Sequence, residues 1–409
     1  MTGHPGHPGH PGHLGHLGHP GDPGQPGDTG HPGDPGHPGQ ISGLGRLQAD
    51  LVFNVADGSP LASSPAVGRL RDYLASLLAD GFPPSVSLAV VRPEGMVLQA
   101  FGGYACVVGE TVATTPATCY DLASLTKVVC TTTLAMIARQ GGALGFEDPV
   151  ARWLPGYPQP RTTLRHLLTH TSGLVDHIPF YATAAGRAPI EAALYAEAST
   201  SVPGEAVRYS DLNFMLLGWA LEACFGRSLD EVFASEVAAP LGLRRARFRP
   251  PPTDRRSTAA TELDGDQRPG PGLVWGEVHD GNAFALGGVA GHAGLFAPLG
   301  ELARFVQSLL APEPGRVLSA ESIAFMSARQ AASAGDVRGI GWRLEPGQWG
   351  SWPPGTIWHT GFTGTSLLVA PARATAVVLL TNAVHPRRRL DDQAAVRAEV
   401  HRLVAEALA

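Results

Sequence analysis

Segments that read as β-strands lie at the two ends of this chain, with a long helical stretch between them. Near the start, 86–91 and 96–101 are apolar, β-branched runs of strand length. Near the end come three more strands, 339–345, 356–361 and 365–370, the last pairing with the apolar run 375–380. Residues from about 120 to 325 are mostly helical in pattern, with Asp148-Pro149 and Thr162-Thr163 as helix starts. Isolated hairpins are barely stable in water, so strands from both ends must pair with each other. The expectation is an α/β fold of the α+β kind. An antiparallel five-stranded sheet is flanked by an amphipathic helix at 66–80 and a final helix at about 391–408, and the insertion forms an all-helical subdomain. A ligand would be buried in the cleft between the two parts.

Composition narrows the class. A hydrophobic fraction of 44%, 16% charged residues and a formal charge of −6 describe an enzyme-like chain with no basic stripe for nucleic acid. No uninterrupted apolar run reaches the roughly 18 residues of a membrane span. The four cysteines, Cys106, Cys119, Cys130 and Cys224, are scattered without a C-x-x-C pair, and read as small buried apolar side chains rather than disulfides. Residues 66–409 form one catalytic unit and 41–65 a linker. In residues 1–40 glycine recurs at every third position from Gly3 to Gly39. That period is collagen-like in form, yet so short a triple helix would be marginal. The segment reads as a disordered tail or a mis-assigned start, ahead of loose metal capture by its histidines or trimerisation. It lacks the charged-then-apolar order of a secretory leader, so the chain reads as cytoplasmic as written.

The chemistry starts at Ser124-Leu125-Thr126-Lys127. Serine is a poor nucleophile unless a neighbouring base takes its proton. A lysine three residues on is such a neighbour on a helix, where i and i+3 share a face. The following residues read as that helix, stopped by Gly141-Gly142. Ser124 would then lie in its first turn, where free N–H groups favour a developing oxyanion. Two further motifs follow. Tyr209-Ser210-Asp211 comes after the turn signal Pro203-Gly204-Glu205, and a phenol beside an ammonium can relay a proton. His359-Thr360-Gly361 lies between strand-like segments, where a small Thr-Gly pair on an edge leaves N–H groups open to an acyl oxygen.

With these three motifs the chain resembles the serine β-lactamase and penicillin-binding-protein superfamily, on the class C β-lactamase and D-alanyl-D-alanine carboxypeptidase branch. The likeness runs from about residue 66 to the C-terminus and includes Leu164-Arg165-His166-Leu167-Leu168-Thr169-His170-Thr171-Ser172-Gly173-Leu174 and Gly287-Gly288-Val289-Ala290-Gly291-His292-Ala293-Gly294-Leu295-Phe296. The resemblance implies a β-lactamase/transpeptidase-like fold, no cofactor and no metal. It implies Ser124 as acylated nucleophile, Lys127 and Tyr209 sharing the base and acid roles, and an oxyanion hole from the N–H groups of Ser124 and Phe362. It also implies action outside the cytoplasm, which leaves localisation open.

Two positions depart from the pattern. Asp211 stands where many members have asparagine; ionised, it cannot donate to a substrate carbonyl, and its charge would raise the lysine pKa. His359 stands where β-lactamases usually have lysine, and a neutral imidazole holds a substrate carboxylate less firmly than an ammonium. Both point to a peptidase or general hydrolase ahead of an efficient β-lactamase, with an esterase third. The substrate would be a small molecule or peptide. A rival reading is a sensor or binding protein that is acylated without turnover. His166 and His170, four apart, and His279, Asp280 and His292 could suggest zinc, but hydrogen bonds that fix loops are the expected role. Glu205 is a turn residue first and a deacylation base second.

Overall fold

The computed structural model describes residues 50–268 and 270–409. The expectations for the 1–40 tail, and for the linker up to residue 49, lie outside the described residues. One antiparallel sheet runs through the body in the order Leu51–Val55, Gly95–Cys106, Ser85–Arg92, Thr375–Thr381, Ser366–Ala370, Ile357–Thr360, Arg343–Leu344, Asp336–Arg338 and Ala331–Ser333. The central pairing joins the ends of the chain, with Leu379 opposite Leu88 and Val377 opposite Val90.

The sheet has ten strands, counting the short Val112–Ala113 beside Gly95–Cys106, and not the expected five. One addition, Leu51–Val55, falls in the stretch read as linker; its alternate residues are half-buried, and it covers an edge of Gly95–Cys106. At the other edge the expected strand 339–345 is reduced to Arg343–Leu344, extended by two three-residue strands too short to show a period.

Strand Ser85–Arg92 is buried on both faces, which is why it reads as a continuous apolar run rather than an alternation. Val86, Leu88 and Val90 point to one layer, where helices Pro65–Ala79 and Leu390–Ala407 pack together. Helix Pro65–Ala79 starts at a proline in its first turn and buries Val67, Leu70, Leu74 and Leu78, a stripe of helical spacing. Burying such a leucine contributes about 2 kcal/mol. Ala89, Val91, Val378 and Leu380 face the other layer, which continues into the insertion. Helix Leu299–Leu310 packs on the sheet from that side.

The insertion is not all-helical. A small sheet of Cys119–Asp121, Leu295–Pro298 and Arg247–Phe248 runs through it. These strands are two to four residues long, and only their pairing across the chain makes them strands. They matter because Cys119–Asp121 delivers the chain into the Ser124 turn.

Candidate active site

Ser124 opens a continuous helical run: a tight turn at Ala123–Leu125, a wide turn of π type at Lys127–Thr132, then an α-helix at Thr133–Gln140. Ala123, just ahead, has φ +46°, a strained conformation for a residue with a side chain. Asp121 holds it there. Its Oδ1 accepts from Ala123 N at 2.8 Å and its Oδ2 from His279 N at 2.7 Å. Burial pushes the Asp121 carboxyl up, and the two N–H donors work against that.

Lys127 is wholly buried, and its Nζ has three oxygen neighbours. These are Ser124 Oγ at 2.8 Å, Asp211 Oδ1 at 2.8 Å and the His292 carbonyl at 3.1 Å. Burial favours the neutral amine, but Asp211, and the phenol of Tyr209 after it, outweigh burial and raise the lysine pKa above its ordinary value. Burial likewise opposes ionisation of Asp211, yet the ammonium and His177 hold that carboxyl well below the usual range. The pair is therefore a buried ion pair, as the charge argument from sequence expects.

The His292 carbonyl reaches the lysine because its loop presses against helix Asp211–Phe225. A Cβ on Gly291 would lie 2.1 Å from Phe214 O, so only glycine fits. Thr131 Oγ1 also donates to Gly291 O at 2.6 Å.

Tyr209 is half-buried just before helix Asp211–Phe225, its ring centroid 5.1 Å from Lys127 Nζ. His170 packs on the other ring partners, 4.6 Å from Tyr209 and 5.1 Å from Phe214. Its Nδ1 accepts from Ser210 N at 3.1 Å, so Nε2 carries the proton. His166 instead accepts from Thr163 N at the start of helix Leu164–Leu168. The two histidines thus serve separate partners rather than one ligand set. His279 bonds Glu262 at 3.0 Å and His292 bonds Asp280 at 2.8 Å, again as loop fasteners. No cluster with metal-ligand geometry occurs among the described residues. Glu205 is exposed in its turn and does not line the cleft.

Strand Ile357–Thr360 and the turn after it form the facing wall. A Cβ on Gly361 would meet Thr365 Oγ1 at 2.2 Å and Leu122 O at 2.3 Å, so the backbone closes on the serine turn only because residue 361 has no side chain. Thr363 Oγ1 and Thr365 Oγ1 then donate to the carbonyls of Asp121 and Leu122. The N–H of Phe362 has no hydrogen-bond partner among the described residues. His359 is buried; burial first, then Lys127 and Arg338, push its pKa far down, so it is neutral. Its Nδ1 lies 2.9 Å from Thr360 O. A carbonyl only accepts, so Nδ1 donates and Nε2 presents a lone pair.

The cleft holds about 490 Å³ and is lined by Ser124, Tyr209, His359, Thr360, Gly361 and Phe362, with Lys127 buried against Ser124 and Asp211 partly buried beside the lysine. The structure also brings residues to the cleft that the sequence reading did not single out. Arg338 is buried, with Nη2 2.6 Å from Asp336, and its Nε and Nη1 have no partner. Arg343 shares Asp336 at 3.3 Å. Arg397, on the final helix, donates to Gly361 O, and burial lowers its pKa to about 10. Three arginines thus line the cleft together with one carboxylate, Asp336. The only sequence signal for the first two is the charged Asp336-Val337-Arg338 within an otherwise strand-like stretch.

Residues 70–402 match the family model described as Beta-lactamase. A protein of Escherichia coli (strain K12), named as a candidate D-alanyl-D-alanine carboxypeptidase, is 30% identical over 380 residues, 81% of this chain and 86% of its own length. Among solved structures, EstCE1, a hydrolase with promiscuous acyltransferase activity, superposes with a TM-score of 0.69 at 23% identity, over 83% of this chain and 98% of its own. Simvastatin synthase (LovD) from Aspergillus terreus superposes with a TM-score of 0.68 at 18% identity, over 84% and 99%. These two likenesses are of fold.

Proposed function

Because the chain belongs to the Beta-lactamase family and is a hydrolase of the serine β-lactamase and penicillin-binding-protein superfamily, we propose that Ser124 is its acylated nucleophile and that its substrate is an amide or ester carrying a carboxylate, a D-alanyl peptide first. The observation that carries this reading is the 2.8 Å contact between Lys127 Nζ and Ser124 Oγ inside the cleft. Ser124 Oγ attacks the substrate carbonyl while its proton passes to the Lys127–Tyr209 pair. Lys127 is held as an ammonium that donates to the developing alkoxide, so Tyr209 takes the larger part of the transfer.

The N–H groups of Ser124 and Phe362 receive the oxyanion; losing one such donor typically costs about a hundredfold or more in rate. The proton returns to the leaving amine or alcohol, which departs. Water then attacks the acyl-enzyme with Tyr209 as its base, and the acid is released.

The substrate class follows from charge. Neutral His359 offers an acceptor at Nε2, suited to a substrate N–H and not to a carboxylate. The free donors of Arg338, with Arg343 and Arg397, suit an anion. A β-lactam also carries a carboxylate and is the second substrate in order; a neutral ester is third. The rival of an acylated sensor is separated by turnover. Mass spectrometry after mixing with a D-alanyl dipeptide, a chromogenic cephalosporin or a p-nitrophenyl ester is expected to show a burst followed by steady release. A stable adduct without release would leave a sensor, and no adduct with any reagent would overturn the nucleophile.

A further inference from the structure

We propose that His177 is a positioning residue for Lys127 acting through Asp211: its imidazole sits at the far oxygen of that carboxylate and, when protonated, draws on the charge that holds the buried ammonium. This rests on the acyl-enzyme reading above and concerns how that site responds to its surroundings.

The geometry is a chain of three groups. Lys127 Nζ is 2.8 Å from Asp211 Oδ1, and His177 Nδ1 is 3.6 Å from Asp211 Oδ2. The ends of this chain differ in access to water. Lys127 has no exposed side-chain surface, whereas about a third of the His177 side chain is exposed, at 34%. Protons from solvent therefore reach the imidazole directly and the ammonium only through the cleft.

Placement of His177 is built into the backbone. Asp211 N donates to Asp176 O at 2.9 Å, and Ser210 Oγ donates to Val175 O at 2.6 Å. Arg208 binds the Asp176 side chain. These bonds fasten the 175–177 segment to the start of helix Asp211–Phe225, so the imidazole stands over the carboxylate as a consequence of the fold.

The charges around His177 are Asp211 and Lys127 in front, Asp280 with its partner His292 beside them, and Asp176 with Arg208 in its own segment. The Tyr181 ring lies 6.4 Å away, tilted by 44° to the imidazole. The nearby Asp211 carboxylate, working against burial, raises the His177 pKa above its ordinary value.

The sign follows from Coulomb's law. A protonated His177 is a second cation on Asp211, which makes the Lys127 ammonium less favourable and its proton easier to lose. As pH rises through the imidazole titration that cation disappears, and Asp211 is left to Lys127 alone. His177 thus keeps the lysine usable as a base toward acid pH, offsetting the cost of having aspartate at position 211.

The test is the rate at which a fluorophosphonate labels Ser124 in the full chain between about pH 5 and 9, for wild type, His177→Gln and His177→Arg. Wild type and His177→Gln should coincide at alkaline pH. On the acid side His177→Gln should fall behind by roughly fivefold, the effect of about 1 kcal/mol between partly screened charges. His177→Arg, a permanent cation, should keep the faster acid-side rate and show no break. An identical pH dependence in wild type and His177→Gln, or a uniform loss at every pH, overturns the proposal. Failure of the wild type to label at any pH would instead overturn the acyl-enzyme reading. A ¹⁵N NMR titration of Lys127 in Ser124→Ala then decides the proposal alone: the ammonium resonance must respond to the His177 titration, and no response overturns it.

Discussion

Asp211 holds the Lys127 ammonium at 2.8 Å, the same distance at which that ammonium meets the Ser124 hydroxyl. A lysine buried without a counter-ion tends to lose its proton, and one paired with a carboxylate keeps it. The resting site is therefore a serine oxygen already solvated by a cation, with its own proton left to find another acceptor. In the mechanism proposed above, this favours stabilising the alkoxide and leaves Tyr209 the larger part, with Lys127 the smaller part, of removing the proton.

Replacing the nucleophile should be decisive. Ser124→Ala should lower turnover by about a thousandfold or more and abolish labelling by a fluorophosphonate. The hydroxyl is half-buried at a helix start, so thermal unfolding should move little. A calorimetric scan run beside the labelling assay checks both.

Asp211→Asn should make the lysine a better base and the protein less stable. Burial then acts on Lys127 unopposed by a carboxylate, so the acid limb of the pH–rate profile should move to lower pH. Leaving the ammonium without its counter-ion should cost about 3 kcal/mol near neutrality, shrinking as pH rises and the amine sheds its proton. In wild type the sign is the reverse. Asp211 is depressed, so its contribution is fully present above the ordinary carboxylate range near pH 4 and is lost as pH falls through and below it. Urea unfolding of both proteins across pH measures these slopes.

Gly361→Ala should separate fold from site. The added methyl has no room beside Thr365 Oγ1 and Leu122 O, so the strand must move away from the serine turn. We expect a stability loss of about 1–3 kcal/mol. Acylation should fall on the order of a hundredfold as Phe362 N–H leaves its place. Stopped-flow acylation rates and chemical denaturation are the measurements.

Removing the guanidinium of Arg338, which lines the cleft with two unpartnered nitrogens, should sort substrates by charge. Arg338→Met should lower kcat/KM for a carboxylate-bearing D-alanyl dipeptide by roughly 10- to 100-fold, the usual worth of a charged hydrogen bond. A neutral p-nitrophenyl ester should be hydrolysed about as before. Equal losses on both substrates would contradict the assignment of the anion to this side of the cleft.

Far from the chemistry, His401 should make the protein acid-sensitive. It bonds Ser366 Oγ at 2.9 Å and stacks on Trp349 at 4.2 Å, and burial with help from Arg397 lowers its pKa to about 3. A histidine held neutral takes up a proton on unfolding below its ordinary pKa. Stability should therefore fall as pH drops from about 6.5 toward 3, by about 1.4 kcal/mol per pH unit for one proton. His401→Gln should flatten that part of the curve in urea melts run at each pH.

The parts of the fold and site that were legible in sequence are those with local signals. The long strands carry continuous apolar runs, the first and last helices carry periodic stripes or acidic starts, and Ser124, Lys127, Tyr209 and His359 stand in short motifs. The ten-strand count was not legible, because the added strands are five residues or fewer and exist only through their partners. The three-stranded sheet under Ser124 was hidden for the same reason. Arg338, signalled only by its charged neighbour Asp336, Arg397 and the His292 carbonyl were missed on different grounds. The first two approach the cleft by long-range folding of the hairpin and the final helix, and the third acts through a backbone atom whose identity carries no signal. His177 escaped notice as one exposed histidine among 16.

The strand that closes over Ser124 is Ile357–Thr360, and it is held by strands Ser366–Ala370 and Thr375–Thr381 that come later still. A polypeptide emerging from the ribosome thus exposes its serine and lysine long before the wall that would complete them. If Ser124 is the nucleophile proposed above, a chain that stops short of this wall should stay unlabelled by reagents that mark an active serine.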